Sequence, residues 1–224
     1  MRPPVDYTVV EMTAEELEEE RLVFGGLAES VRDLADASLR TTVSADVVSE
    51  VQAEIDRLTA RLRKEQIPGS FGVSLSSQGT VRGHGNAVVG LRNAIAPPLK
   101  IDHSDEGRAW SSFRLGPLYE GPPGMVHGGV AALVLDQVLG EAAAAGGSPG
   151  MTGTLQLRYL QATPLGDCSA EAWIDRVEGA KTFAKAELRR SDGETTVRAE
   201  GIFILPRWAR EAIDEHNQRP PRFE

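Results

Sequence analysis

The sequence is poor in the residues that mark several common classes of protein. Cysteine occurs once, at Cys168, among 224 residues. No disulfide can therefore form within the chain, and a reducing, cytoplasmic setting is expected. Basic residues are outnumbered, 24 to 33, giving a net charge of −9; nucleic acid, whose binding rests on neutralising phosphates, is an unexpected partner. No apolar run reaches the roughly eighteen residues that a bilayer span needs. The best stretch, Val130 to Ala145, is broken by Asp136, Gln137 and Glu141, so no membrane is expected either. The N-terminus, Met-Arg-Pro-Pro-Val-Asp-Tyr, carries no apolar stretch of the kind found in a signal peptide. Aromatics make up only 5% of residues, so the core must be aliphatic. What is present, 41% apolar and 25% charged residues, suits one generous domain or a domain with an appendage.

The charge is concentrated. Residues 11–40 hold nine acidic and three basic residues, and Thr13-Ala-Glu-Glu16 matches a capping box at the start of a helix. The glutamates from Glu15 to Glu20 are expected to be a solvated first turn, favoured by the helix dipole. Leu27, Val31 and Leu34 recur at helical spacing. Between residues 44 and 66, Val48, Val51, Ile55, Leu58 and Leu62 are spaced three, four, three, four. That stripe fits one side of a helical hairpin docked on the main domain or on a partner chain. Residues 1–66 are thus an N-terminal helical segment. Residues 67–96 are a glycine-rich connection ending at Pro97-Pro98, residues 97–206 the main domain, and 207–224 a C-terminal tail.

In the main domain the periodicity becomes two. A strand is expected within 108–118, a helix over about 127–145, and four strands at 151–161, 168–177, 181–190 and 195–205. Turn-like breaks at 163–167, 178–180 and 191–193 make the last strands an antiparallel meander. The class is α+β. Val130, Ala131, Leu133, Val134, Leu135, Val138 and Leu139 cover nearly the whole circumference of the helix. A helix apolar all round must be buried all round, which a sheet curled about it would achieve.

Two features of this helix can carry chemistry. It begins at Met125-Val-His-Gly-Gly129, where Gly128 and Gly129 leave the unpaired first-turn amides open to a carbonyl oxygen. Further on stands Asp136, with Ala132, Leu133, Leu139 and Gly140 as helical neighbours. A carboxylate there is costly unless partnered, a setting that suits a general base or nucleophile. His127 and Asp136 are nine residues apart, about 13.5 Å of rise and half a turn of phase. They cannot easily act on one small group from one chain, so a dimer with sites at its interface is expected.

The run Gly121-Pro-Pro-Gly-Met-Val-His-Gly-Gly129, followed after six residues by Asp136, resembles the motif of hot-dog-fold acyl-CoA thioesterases of the PaaI type. The resemblance covers roughly residues 90–206. It implies a central helix wrapped by an antiparallel sheet, a homodimer or dimer of dimers, and an acyl-CoA substrate. Coenzyme A is then part of substrate and product, and no separate cofactor is expected. It further implies that Gly128 offers its amide to the thioester oxygen and that His127 lines the same pocket, with Gly129 beside it. Asp136 comes from the partner subunit as base or nucleophile. Thr152, at the start of the next strand, orients water, with Thr154 as a second hydroxyl on the same strand face. Where some relatives have an asparagine before the histidine, this chain has Glu120, Gly121 and two prolines. The chemistry is coherent, because a thiol of pKa about 8.5 leaves as thiolate with little acid help.

Other readings use the same residues. A hot-dog hydratase or dehydratase would arrange a histidine–carboxylate pair for proton transfer at the acyl α-carbon. A non-catalytic acyl-CoA sensor would bind without turnover. His127 as a mere helix cap, Asp136 as a buried structural carboxylate and Thr152 as an ordinary strand residue are the plain alternatives. Gly146-Gly-Ser-Pro-Gly150 fits the nucleophile-elbow pattern but follows a helix and precedes a strand, the wrong context, so Ser148 is a loop residue. No two of His84, His103, His127 and His216 are closer than nineteen residues, which disfavours a metal site. Cys168 reads as a small packed residue.

Overall fold

In a computed structural model, residues 8–77 and 81–206 are described; the tail at 207–224, with His216, lies outside them. The elements are β1 (Thr8–Val10), α1 (Ala14–Arg40), α2 (Ala45–Leu62), β2 (Ser74–Ser76), β3 (Val81–Arg82), β4 (Asp102–Ser104), β5 (Arg108–Leu115), α3 (Gly128–Ala145), β6 (Met151–Tyr159), β7 (Gly166–Glu178), β8 (Lys181–Arg190) and β9 (Thr195–Ile204), with a short 3-10 turn at Pro117–Tyr119. Six strands form an antiparallel sheet in the order β4-β5-β7-β8-β9-β6, and α3 packs against it. This is the α+β hot-dog arrangement.

The meander expected for the last four strands is partly realised. β7, β8 and β9 are joined by tight turns with Gly179 and Gly193 at positive φ (59° and 87°), a conformation glycine adopts without steric cost. β6, however, pairs with β9 at the sheet's edge and not with β7. The cause is α3, which packs on strands right across the sheet, from β4 to β6, and so delivers the chain to the far edge.

Close packing of α3 is permitted by the sheet's inner face. Ala109 pairs with Ala172, Ala172 with Ala186 and Ala186 with Ala199, and Leu157 completes the row. All four alanines are 2% exposed or less. Bulkier side chains come from the helix: Val134, Leu135, Val138 and Leu139 are fully buried. Small residues below and branched ones above let helix and sheet interdigitate. The helix is not buried all round, because Leu133 is 40% exposed, Gly129 is exposed, and Asp136 is half-buried. By length and composition α3 is apolar enough to cross a bilayer; its burial under the sheet accounts for that composition.

The N-terminal part departs from expectation in two ways. The capping box forms, with Glu16 N donating to Thr13 Oγ1 and Thr13 N to Glu16 Oε2, but Glu20 is not solvated. Its side chain is 10% exposed. It accepts bonds of 2.6–3.0 Å from Arg82 and lies 3.3 Å from His84 Nε2 and 3.5 Å from Arg92. One turn on, Gly25 and Ala28 are buried, and a Cβ on Gly25 would fall 2.8 Å from Leu91 Cδ1. α1 therefore docks through small and charged residues, while Leu27, Val31 and Leu34 face outward at 37–42% exposure. α2 buries nothing and does not pack along α1 or the sheet, so the docking on the main domain expected of its stripe is absent. The glycine-rich connection carries β2 and β3, which join β1 in a small three-stranded sheet. It then closes over α3 through Asn86, whose side-chain amide donates to Gln137 Oε1 at 3.0 Å.

Replacing Ala186, 1% exposed, with leucine should overpack the alanine row. The expected cost is about 1–3 kcal/mol, or roughly 2–4 °C of Tm per kcal/mol. Calorimetry would show it, and an unchanged Tm would mean that the row is not tightly packed against α3.

Candidate active site

His127 is the N-cap of α3, and its Nδ1 accepts from Gly129 N at 3.0 Å. An accepting Nδ1 on a neutral ring places the proton on Nε2, which is then a donor. The loop before it is held against the histidine: His127 N donates to Tyr119 O at 2.9 Å, and a Cβ on Gly121 would lie 2.8 Å from His127 Cα. Glu120, in the same loop, accepts from Gly124 N at 2.6 Å.

The two glycines after His127 differ. The amide of Gly129 is occupied by the imidazole, so it is not available to a ligand while that bond holds. The amide of Gly128 makes no hydrogen bond among the described residues. Gly128 is also covered from one side by Tyr159, whose hydroxyl donates to Gly128 O at 2.8 Å; a Cβ on Gly128 would stand 3.3 Å from that oxygen. Tyr159 was not singled out from the sequence, where it is simply the inward member of an alternating strand.

Asp136 and Thr152 are brought together. Thr152 Oγ1 donates to Asp136 Oδ1 at 2.9 Å. Having given its proton, the hydroxyl keeps acceptor lone pairs for a water molecule. Thr154 goes elsewhere. The register between β6 and β9 slips between Thr152 and Thr154, so that Thr152 lies opposite Phe203 and Thr154 opposite Ile202. A bulge of this kind reverses strand parity. Thr152 thus shares the helix-facing side with Leu155, Leu157 and Tyr159. Thr154 lies across the strand, in a shallow cleft of about 250 Å³ with Gln156, Arg176, Phe183 and Lys185. A Cβ on Gly153 would come 2.7 Å from Ile204 Cδ1, the far end of a 40% exposed side chain that would have to turn aside.

Within one chain the two polar centres stay apart. Gly128 and Asp136 are eight residues apart along α3, about 12 Å of rise. Each is tied to a different end of β6, Gly128 to Tyr159 and Asp136 to Thr152. No group of three or more His, Cys, Asp or Glu among the described residues could hold a metal ion. Ser148 lies in the loop after α3, its carbonyl bonded by Thr182, and Cys168 is 4% exposed, its thiol pushed up by burial.

Comparison with known proteins identifies the family. The Thioesterase superfamily matches residues 123–197, from the loop before His127 into β9. The crystal structure of protein RHA08564, a thioesterase superfamily protein, is 32% identical; the superposition covers 81% of this chain and 94% of that one at a TM-score of 0.72. That share exceeds what residues 67–206 can supply, so the likeness reaches into the N-terminal helical segment. The chain belongs to the thioesterase superfamily. Among named relatives, acyl-coenzyme A thioesterase THEM4 of Bos taurus is 34% identical over 106 residues, 46% of this chain and 43% of that protein. THEM4 of Xenopus laevis is 35% identical over 89 residues, 39% of this chain and 40% of that protein. The chain thus matches less than half the length of these curated relatives.

A second carboxyl on α3 escaped the sequence reading, where it only interrupts an apolar run. Glu141 is 6% exposed, and burial lifts it from 4.5 to about 7 against the pull of its Gln137 bond, 2.7 Å long. Because Gln137 also holds Asn86, the network ties α3 to the connection above it. A carboxyl raised on folding binds its proton more tightly in the native state, so its contribution is full below pH 4.5 and lost as pH rises through about 7. Glu141→Gln should therefore gain stability relative to wild type between pH 5 and pH 8, by on the order of 2–3 kcal/mol. Urea melts at the two pH values test it; a difference independent of pH would refute the raised carboxyl.

Proposed function

We propose that this protein hydrolyses acyl-CoA thioesters, releasing a free acid and coenzyme A, in sites shared between two copies of the chain. The observation that carries the reading is the hydrogen bond from Thr152 to Asp136. It gives a helix carboxylate, set among aliphatics, a fixed orientation and a hydroxyl beside it to hold water. Across the seam, the free amide of Gly128 and the α3 dipole polarise the thioester carbonyl, and His127 offers its Nε2 proton on the same side. Asp136 then acts as general base, taking a proton from the held water as that water attacks the carbonyl, or as nucleophile on the carbonyl. The tetrahedral centre collapses with loss of thiolate; on the nucleophilic route water then cleaves the acyl–Asp136 anhydride, releasing the acid and restoring the carboxylate.

The seam itself is supported by β6. Among the described residues this strand ends the sheet with one edge unpaired, and Met151, Tyr159 and Leu160 on or beside it, with Leu133 on α3, are 40–54% exposed. A long, exposed edge of this kind invites another strand. A second copy of β6 pairing antiparallel about a two-fold axis would place the Thr152 end of one strand beside the Tyr159 end of the other. Asp136 would then face the partner's Gly128, which no single chain achieves. The relatives named as acyl-coenzyme A thioesterases support the substrate class, and the single buried thiol suits the reducing cytoplasm taken as its setting.

Thiol release from a series of acyl-CoA chain lengths provides the test. Asp136→Asn should lower kcat by at least a hundredfold, and Thr152→Ala by a smaller factor. If the pure wild-type dimer releases no thiol from any acyl-CoA, the enzyme reading fails. If Asp136→Asn is as active as wild type, the carboxylate has no role in the reaction. Chains carrying Asp136→Asn and chains carrying His127→Ala should regain activity when mixed, since each heterodimer contains one intact site. Confirmed heterodimers that stay inactive would count against the shared site.

A further inference from the structure

The hydroxyl of Tyr159 and the ring of His127 grip one peptide unit from opposite ends. That unit joins Gly128 to Gly129. Its oxygen, Gly128 O, accepts from Tyr159 Oη at 2.8 Å, and its N–H, on Gly129, donates to His127 Nδ1 at 3.0 Å. The preceding unit is held differently. Its oxygen, His127 O, accepts from Val130 N at 2.9 Å and Ala131 N at 3.2 Å in the first turn of α3, so the helix itself aims the Gly128 amide. The imidazole has no such ladder. Among the described residues its hydrogen bond is the one from Gly129, and what steadies that donor steadies the ring.

Both glycines fit this bridge. A Cβ on Gly128 would lie 3.3 Å from Tyr159 Oη, and one on Gly129 would lie 3.1 Å from His127 Nδ1. A side chain at either position would press on one end of it. Tyr159 is fixed in turn by the sheet, since it lies opposite Val197 of β9 and the next amide, Leu160 N, donates to Thr196 O at 2.9 Å. A donor on the oxygen of an amide polarises the group and strengthens its N–H as a donor. We propose that Tyr159 is a positioning residue for the hydrolysis, a role that rests on the reading above in which His127 offers an Nε2 proton to the thioester. Through the Gly128–Gly129 peptide it holds His127 Nδ1 as an acceptor, which keeps the ring proton on Nε2 and fixes where that proton points. Its own hydroxyl proton is spent on Gly128 O, so it acts through His127 and not on the substrate.

Tyr159→Phe in the full chain removes only the hydroxyl, and at 54% exposure the residue tolerates that change without unfolding. With acyl-CoA it should lower kcat about tenfold and leave KM within about twofold, a smaller loss than removing an oxyanion donor outright. In the His127→Ala background the same substitution should change kcat by less than about twofold, because a residue that acts through His127 then has nothing to act on. A second readout needs no turnover. In 15N spectra taken above about pH 9, where imidazole is neutral, His127 (assigned by its loss in His127→Gln) should be the Nε2–H tautomer in wild type. In Tyr159→Phe at least about a fifth of it should carry the proton on Nδ1. A loss of kcat undiminished in the His127→Ala background, or a rise in KM at unchanged kcat, would overturn the proposal. So would a tautomer indifferent to the hydroxyl. If wild type releases no thiol, the hydrolytic reading fails by itself, and the tautomer still decides whether Tyr159 sets the ring.

Discussion

Everything in the main domain follows from how closely α3 approaches the sheet. The row Ala109–Ala172–Ala186–Ala199 offers no side chain beyond Cβ. The helix can then press its branched residues between the strands, where dispersion and burial both gain. A helix held this tightly cannot rotate or slide without losing the whole interface. Its first turn, and the carboxylate two turns later, are therefore fixed relative to each other and to β6. The low aromatic content belongs to the same design: the buried ring of Phe203 fits beside α3 where Gly140 and Gly201 leave space for it.

The strand at the edge then divides the chemistry. β6 grips α3 at two places through two hydroxyls, and both point the same way only because of the slip at Gly153. Without it, strand alternation would send Thr152 to the outer surface while Tyr159 stayed inside. One extra residue in a ladder thus decides whether Asp136 has a partner.

How much of this could be read from the sequence depends on how local the determinants are. The capping box at Thr13, the turns at Gly179 and Gly193 and the apolar girth of α3 are set by neighbours within a few residues, and each was legible. Family resemblance singles out Thr152 as a hydroxyl that orients water, but not its bond to Asp136. The face taken by Thr154 was not legible either, because a bulge depends on the partner strand and leaves no mark in alternation. Nor was the burial of Glu20, whose partners Arg82, His84 and Arg92 lie more than sixty residues away, or the bond from Tyr159 to Gly128, which exists only because β6 comes back alongside the helix it follows. Leu27, Val31 and Leu34 have the right period, but glycine and alanine on the opposite side of α1 mark the side that docks.

The attachment of α1 has a physiological corollary. It rests on one carboxylate shared among two guanidiniums and an imidazole, with small residues in place of an oily contact. Burial works to raise Glu20, but Arg82 and His84 hold it below the ordinary carboxylate range, so its grip persists in mild acid and fails when the group takes up a proton. The carboxyl buried in the main domain, Glu141, works with the opposite sign: raised to about 7 by burial, it costs the core stability as pH rises. The α1 attachment and the core of one polypeptide therefore respond to acidity in opposite directions, the first weakened as pH falls and the second as it rises.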